Sequence, residues 1–597
     1  MKLKYFLFFC LSVYVLSTQY STATVRYVSK TGTSTPPYTS WATAADSIQK
    51  CINICSFGDT VYVANGVYKE NLVINTAISL IGSSMDSTVI DGLGLGDYTI
   101  LNNQPLFIEN FRLIGKGENT VGTRCIQFYG NLYIKNCQLS EAGLALGSVG
   151  SDIDAENLIM HNLRVRAFSL YGNGYNKIFN CSIILDNENS NAIEIGFVPN
   201  ADYHINNNII LFAGTVNQNP GYGISIGAPQ SVYINNNLIS GFRANIFMDI
   251  PDSVFFKNNL LENTLDNSNP PSLASIIQGG GHTVVNNVIL TKNTIGINNV
   301  NGVFRVDSDY NLFWQNETNL KGVIQGNSDF ESDPMFVKDT LPTANGDYDF
   351  HLQAYSPAID KGDPNILDLD GSRSDIGLYG GPFGETYTYQ DLAPLAPRNL
   401  SAIVDTNTIL VKWNRNTEAD NSYYNVYRDT VIGFQIDSTK LVSSSADTFF
   451  VQANPRINTK FVYKITCVDN QGNESLPSNE LVVNITSVST DNYPMTVSDY
   501  VLYQNYPNPF NPSTKIGYQL KQRAYIKLMV YDIKGELVSV LVNKEQNADY
   551  YEVEFTVGNG LPSVPNLASG IYLYRIEVIG EGNIPIYTEM KKMILIK

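Results

Sequence analysis

Histidine, cysteine and charge are all scarce in this sequence. Four histidines and seven cysteines in 597 residues leave few ligands for a transition-metal centre, and no Cys/His spacing follows a zinc-site pattern. Charged residues make up only 16% of the chain, and the formal net charge is -17. That acidic balance offers neither phosphate attraction nor counterion release, which argues against nucleic acid or an anionic membrane surface as partner. No apolar run is long enough to cross a bilayer, Tyr5 to Leu16 included. The basic start Met1-Lys2-Leu3-Lys4 and the small residues Ser21-Thr22-Ala23 make that run a signal peptide over 1–23, so the protein is expected to be secreted or held at the outer cell surface. Export permits disulfides, but Cys51, Cys55, Cys125, Cys137, Cys181 and Cys467 do not read as a framework. Cys137 and Cys181 fall two repeats apart, roughly 10 Å at the strand spacing, beyond the reach of a disulfide.

Glycine, tyrosine and asparagine are plentiful, and asparagine recurs in one phrase. It stands at Ile205-Asn206-Asn207-Asn208-Ile209, Ile234-Asn235-Asn236-Asn237-Leu238, Phe256-Lys257-Asn258-Asn259-Leu260 and Val284-Val285-Asn286-Asn287-Val288. Aligning the last Asn or Cys of each copy makes Asn110, Cys137, Asn157, Cys181, Asn208, Asn237, Asn259, Asn287 and Asn311 equivalent. The period is about 25 residues, that of a solenoid. Short apolar runs separated by Asn, Gly and Ser suit turns that stack their strands in parallel, with the asparagines hydrogen-bonded in a ladder along the axis. The expected fold is all-β: a right-handed parallel β-helix, a single-stranded solenoid with an N-terminal helical cap over Trp41 to Ile52, followed by two β-sandwich domains.

The succession "GDTVYVANGVYKENLVI … ISLIGSS … STVIDG" from Gly58, and "SPAIDKGDPN … DLDGSRSDIGLYGGP" over Ser356 to Pro382, resemble the pectate-lyase-like β-helix superfamily. This likeness covers the β-helix, 24–385, and implies a fold that hosts lyases, hydrolases, adhesins and binding proteins. A Pro-punctuated linker, 386–393, precedes alternating strands over 394–486, where Trp413, Tyr463 and "VDNQGNES" resemble a fibronectin type III domain. After a second linker, 487–499, comes a tail at 500–597. Its motifs "LYQNYPNPFNPSTKIGYQL", "VYDIKGELV", "ASGIYLYRIE" and "KKMILIK" resemble the type A C-terminal sorting domain of the type IX secretion system of the Bacteroidetes. The resemblance implies that the type IX machinery is a partner and carries the protein across the outer membrane.

Chemistry on a coil needs side chains that project from one strand face in register. Aligning Ile193, Ile224 and Ile246 places Glu194, Ser225 and Phe247 outward on successive turns, which is not the carboxylate pair of a glycoside hydrolase. A polyuronide lyase needs a Lys or Arg base and a cation such as calcium. Arg243, Lys257, Lys292 and Arg305 are the basic residues of the middle turns; Arg243 and Lys257, with Asp249, are the catalytic candidates, and solvated charge is the alternative. His161, His204, His282 and His351 stand far apart and are expected to be satisfied surface or ladder residues. Asp368, Asp370 and Asp375 begin like a calcium loop, or cap a closing turn. Aromatics in Phe168–Tyr175 and Tyr203–Tyr233 either stack on sugars or fill the core. The reading that leads is a surface protein that binds an extracellular polysaccharide or acts in adhesion. A calcium-assisted polysaccharide lyase and a structural surface component are the alternatives.

Overall fold

Alternation of apolar and polar residues along strands of three to five residues builds the coil. The computed structural model describes residues 23–117, 122–214, 220–263, 274–300, 302, 304–342, 346–405, 408–456, 458–485, 500–505, 508–547, 549–557, 567–579 and 585–596. The expected signal peptide, Ala23 apart, and the 487–499 linker lie outside them. One face of the coil is a 12-stranded sheet, row I, that runs from Val25–Val28 to Arg305–Asp309. A second sheet of 21 short strands carries two further rows. Row II includes Ser182–Leu185, Ile209–Phe212, Leu238–Ser240, Leu260–Glu262 and Ile289–Thr291; row III includes Asn191–Ile195, Tyr222–Ile226 and Ala244–Met248. All pairings between turns are parallel, as expected of a β-helix: Ile178, Ile205, Ile234, Phe256 and Val285 stack in register. Each is at most 1% exposed. Such burial stabilises by about 1.5–3 kcal/mol per side chain.

The asparagine phrase divides its labour, and the expected alignment merges two of its lines. Asn110, Asn136, Asn157, Asn180, Asn207, Asn236, Asn258 and Asn287 have φ between 51° and 63°. They turn the corner from row I to row II, in the left-handed region that asparagine tolerates better than most residues. The residue after each corner points inward, as does Asn311 after Tyr310 (φ 58°), and that line reads Phe111, Cys137, Leu158, Cys181, Asn208, Asn237, Asn259, Val288 and Asn311. Asn110, Asn157 and Asn287 therefore belong to the corner, not to the inward slot assigned to them. The inward asparagines form the ladder: Asn208 Nδ2 donates to Asn237 Oδ1 at 2.9 Å, and Asn237 Nδ2 to Asn259 Oδ1 at 3.0 Å. A consecutive run of asparagines hides this division because the three neighbours share chemistry and differ only in φ and direction.

The corners also hold the end of the coil's own chain. In the early turns Asn157 Nδ2 donates to Asn136 Oδ1 and Asn180 Nδ2 to Asn157 Oδ1, at 2.9 and 2.7 Å. Later corners instead donate to the closing segment: Asn207 to Phe383 O at 2.8 Å, Asn236 to Leu378 O at 2.8 Å, and Asn258 to Asp375 O at 2.8 Å. This segment covers the outer leucines of row II, where Leu238, Leu260, Ile289 and Leu312 pack against Phe336, Phe350, Leu352 and Ile376.

The cap differs from expectation. The helix is α1 (Ile48–Ile52) alone, with Ser47 as its N-cap. The stretch before it is a run of turns around one bridge residue: Ser29 N–H donates to Ala45 O at 2.8 Å and Ala45 N–H to Tyr27 O at 2.9 Å. An open strand edge needs backbone partners more than it needs a helix, and Ala45 supplies them to Val25–Val28.

After the coil, strands Ser401–Asp405, Thr408–Lys412 and Phe449–Ala453 form a three-stranded sheet. Leu441–Ser445, Asn421–Asp429, Thr459–Asp469 and Leu481–Ile485 form a four-stranded one. Trp413 and Tyr463 are buried in this sandwich, and the Tyr463 hydroxyl donates to the Gln452 side chain. The coil and this sandwich belong to one compact unit. The C-terminal sandwich belongs to another, with sheets of three and four strands over a core that includes Ile516, Ile526, Leu528, Tyr574 and Met593.

Candidate functional site

Row III presents one outward column of Gln127, Gly147, Ser169, Glu194, Ser225 and Phe247 on successive turns. The alignment read from Ile193, Ile224 and Ile246 is thus the register of the structure. Beside it runs a second column, Tyr98, Arg124, Leu144, Arg166 and Asn191. Neither arginine was among the expected basic residues. Here rows II and III are fused into continuous strands, Gln138–Ser148 and Ile159–Leu170, with a register shift between Ala142 and Leu144. That irregularity moves the repeat by a residue and conceals the match of Arg124 to Arg166. Counting two residues back from the inward Ile126 and Phe168 would have found both.

Glu194 is the single carboxylate in the two columns, and it is committed. Arg166 Nη2 lies 2.7 Å from Glu194 Oε2, and Asn191 Nδ2 lies 3.4 Å from the same oxygen. Around Gly147 the balance of donors and acceptors is uneven. Arg124 Nε, Arg166 Nε and Gln127 Nε2 are buried and meet no acceptor. A Cβ at position 147 would stand 3.0 Å from Leu144 Cδ2, 3.1 Å from Arg124 Nε and 3.2 Å from Gln127 Oε1, so glycine is what lets these side chains close over the strand. The Arg124 guanidinium lies over the Tyr98 ring at 5.6 Å. Buried donors without acceptors cost free energy, and an anionic oxygen satisfies them best.

The aromatics serve mainly one another. Phe168 and Tyr203 point into the core and are fully buried. On row I, Tyr175, His204, Tyr233 and Phe255 stack with ring centroids 4.7, 4.6 and 5.1 Å apart. Tyr222 and Phe247 stack at 4.7 Å on row III. Stacked rings give their faces to neighbours and leave mostly edges for a ligand. Burial among them lowers the pKa of His204. The other histidines are engaged as expected: His161 with Gln138 at 2.6 Å, His282 with Asp307 at 2.9 Å, and His351 with Asp349 and Glu385 at 2.6 and 2.5 Å.

The structure does not bring the three catalytic candidates together. Arg243 and Asp249 flank opposite ends of Ala244–Met248, while Lys257 is on row I. Lys292 is not a solvated charge: its Nζ lies 2.8 Å from the fully buried Glu262 and 2.5 Å from Asp339. Burial pushes the Glu262 carboxyl up to about 7 against the opposing pull of Lys292. Arg305 is an exposed partner of Asp307 at 2.7 Å.

Asp368, Asp370 and Asp375 all accept hydrogen bonds within the closing segment. Asp368 accepts from Asp375 N–H and Gly381 N–H at 3.0 and 2.5 Å. Asp375 accepts from Asp360 N–H at 2.9 Å and from the Tyr389 hydroxyl at 2.8 Å. Exposed Asp370 accepts from Ser372 N–H at 2.9 Å. Burial raises the pKa of Asp368 and pushes Asp375 up to about 6, while hydrogen bonds from Ser372 lower that of Asp370. Among the described residues, the carboxylate trio whose oxygens come within 4.8 Å of one another is Asp391, Asp420 and Asp469.

No helix among the described residues is long and apolar enough to cross a membrane. No protein-family model matches the chain. It is 36% identical over 94 residues to an amylopullulanase of Thermoanaerobacterium thermosulfurigenes, covering 16% of this chain and 5% of that one. The chain spans between 5% and 10% of the length of the curated relatives it matches. Among solved structures, it is similar to an Fn3-like protein from Clostridium thermocellum, with 30% identity and a TM-score of 0.14 over 16% of this chain and 99% of that one. It is also similar to the pectate lyase Pel9A, with 15% identity and a TM-score of 0.39 over 60% of this chain and 96% of that one.

Proposed function

We propose that this is an exported β-helix protein that binds an acidic polysaccharide on the outer face of row III, where sugar carboxylates are held by Arg124, Arg166 and Gln127 beside Gly147. One observation carries this reading: three buried donors without acceptors lie on neighbouring turns of one face of the coil, two of them, on Arg124 and Gln127, close against Gly147. Binding is favoured over hydrolysis because glycoside cleavage uses two carboxylates, and the single one in these columns is neutralised by Arg166. The local cations act against an overall charge of -17, so the attraction is short-ranged and weakens with salt. The tail motifs support delivery by the type IX secretion system.

The test is retention of the purified protein on gels of acidic and neutral polysaccharides. Retention by at least one uronate-bearing gel is expected, with a loss of about tenfold or more in affinity for Arg124→Ala, the worth of a charge-assisted hydrogen bond. Equal retention of wild type and Arg124→Ala would remove the site from consideration. Appearance of the ultraviolet absorbance of unsaturated uronate during incubation would replace binding by β-elimination.

A further inference from the structure

We propose that Asp391, Asp420 and Asp469 form a calcium site that fastens the segment leaving the coil to the first sandwich. Asp391 lies in that segment. Asp420 immediately precedes strand Asn421–Asp429, and Asp469 ends strand Thr459–Asp469. One oxygen from each falls within 4.8 Å of the other two. Calcium binds oxygens at about 2.3–2.6 Å, so oxygens up to roughly twice that distance apart can share one ion.

Asp420 is the observation that points to a ligand. The residue is 6% exposed, and among the described residues its carboxylate takes no hydrogen bond from another residue and pairs with no cation; only its carbonyl is engaged, by Asn470 N–H at 2.9 Å. The neighbouring groups are already arranged. Asp469 accepts from Gln471 N–H at 3.0 Å and Asn473 N–H at 2.8 Å. The Asn473 amide bridges Asp469 and Asp391 at 2.9 and 3.1 Å. Glu418, also buried, is occupied by Leu395 N–H at 2.6 Å. A buried carboxylate facing two others with no cation between them is costly, and a divalent ion reverses the sign of that interaction. All-oxygen ligands from three separate stretches of chain suit calcium better than magnesium, which demands tight octahedral geometry and keeps its waters.

The experiment titrates calcium chloride alone into the chelator-treated full chain by calorimetry, with thermal unfolding followed in parallel. One saturable event in the range up to about 1 mM, typical of extracellular sites, and a calcium-dependent rise in melting temperature are expected. Asp420→Asn should weaken that event at least tenfold and abolish the rise. Its calcium-free form should melt no lower than calcium-free wild type, because one of three crowded charges is gone. Asp391→Asn, at an exposed position, should weaken binding without disturbing the sandwich core. Asp370→Asn, in the closing turn of the coil, should leave the event intact. The proposal is overturned by the absence of calcium heat up to about 5 mM, by an unchanged titration in both Asp420→Asn and Asp391→Asn, or by loss of binding in Asp370→Asn.

Discussion

Asn237→Ala lowers the stability of the coil by about 4 kcal/mol, the largest effect expected from any single polar substitution in it. The amide is fully buried. Its oxygen accepts from Asn208 N–H and Asn208 Nδ2, both at 2.9 Å. Its nitrogen donates to Ile205 O at 2.8 Å, Asn235 O at 3.0 Å and Asn259 Oδ1 at 3.0 Å. Alanine strands the Asn208 N–H and one hydrogen of Asn208 Nδ2, which keeps only Ile178 O at 3.2 Å, and each orphan costs about 1–3 kcal/mol. Urea unfolding checks this, and a loss below about 1 kcal/mol would show that the ladder fills space rather than holds the turns together. Asn236→Gly is the contrasting change. It keeps the left-handed corner and removes only the bonds to Leu378 O and Gly380 O, so about 1–2 kcal/mol should be lost.

The second large effect is one of pH. The Glu262 carboxyl, ordinarily near 4.5, is pushed up to about 7 by burial. Between those values the folded protein holds a proton that the unfolded chain has released, so stability falls as pH rises. The contribution is fully present below about pH 4.5 and gone above about pH 7, a change of roughly 3 kcal/mol. Glu262→Gln removes the titration. The difference in urea midpoint between wild type and Glu262→Gln should therefore shift in favour of the variant across this window, while Lys292 and Asp339 remain as they are. A difference independent of pH would show that Lys292 keeps Glu262 ionised throughout. Asp375, pushed up to about 6, adds a similar decline at lower pH in both proteins.

Much of the fold was written locally. The period of the asparagine phrase, the alternation within short strands and the turn residues between them each demand the same coil, because no single turn can bury its own apolar face. The outward register of Glu194, Ser225 and Phe247 was legible for the same reason: in regular turns, one aligned isoleucine sets the direction of every neighbour. The division of labour within Asn206-Asn207-Asn208 was not legible, since residues of identical chemistry take different roles only once φ is known.

The candidate site was largely hidden. Arg124 and Arg166 are 42 positions apart, and the fused strands between them break the repeat that would have aligned them. Lys292 looks like any exposed lysine until Leu260–Glu262 and Ile289–Thr291 pair and bury its partner. Asp391, Asp420 and Asp469 share no motif, since they stand at three separate places in the chain. By itself the sequence determined the coil, the two sandwiches and the outward register of the regular turns, because those follow from patterns a few residues long. The tertiary structure alone decided which donors are left without acceptors and which carboxylates crowd together, because burial and charge balance depend on residues that meet only after the turns have stacked.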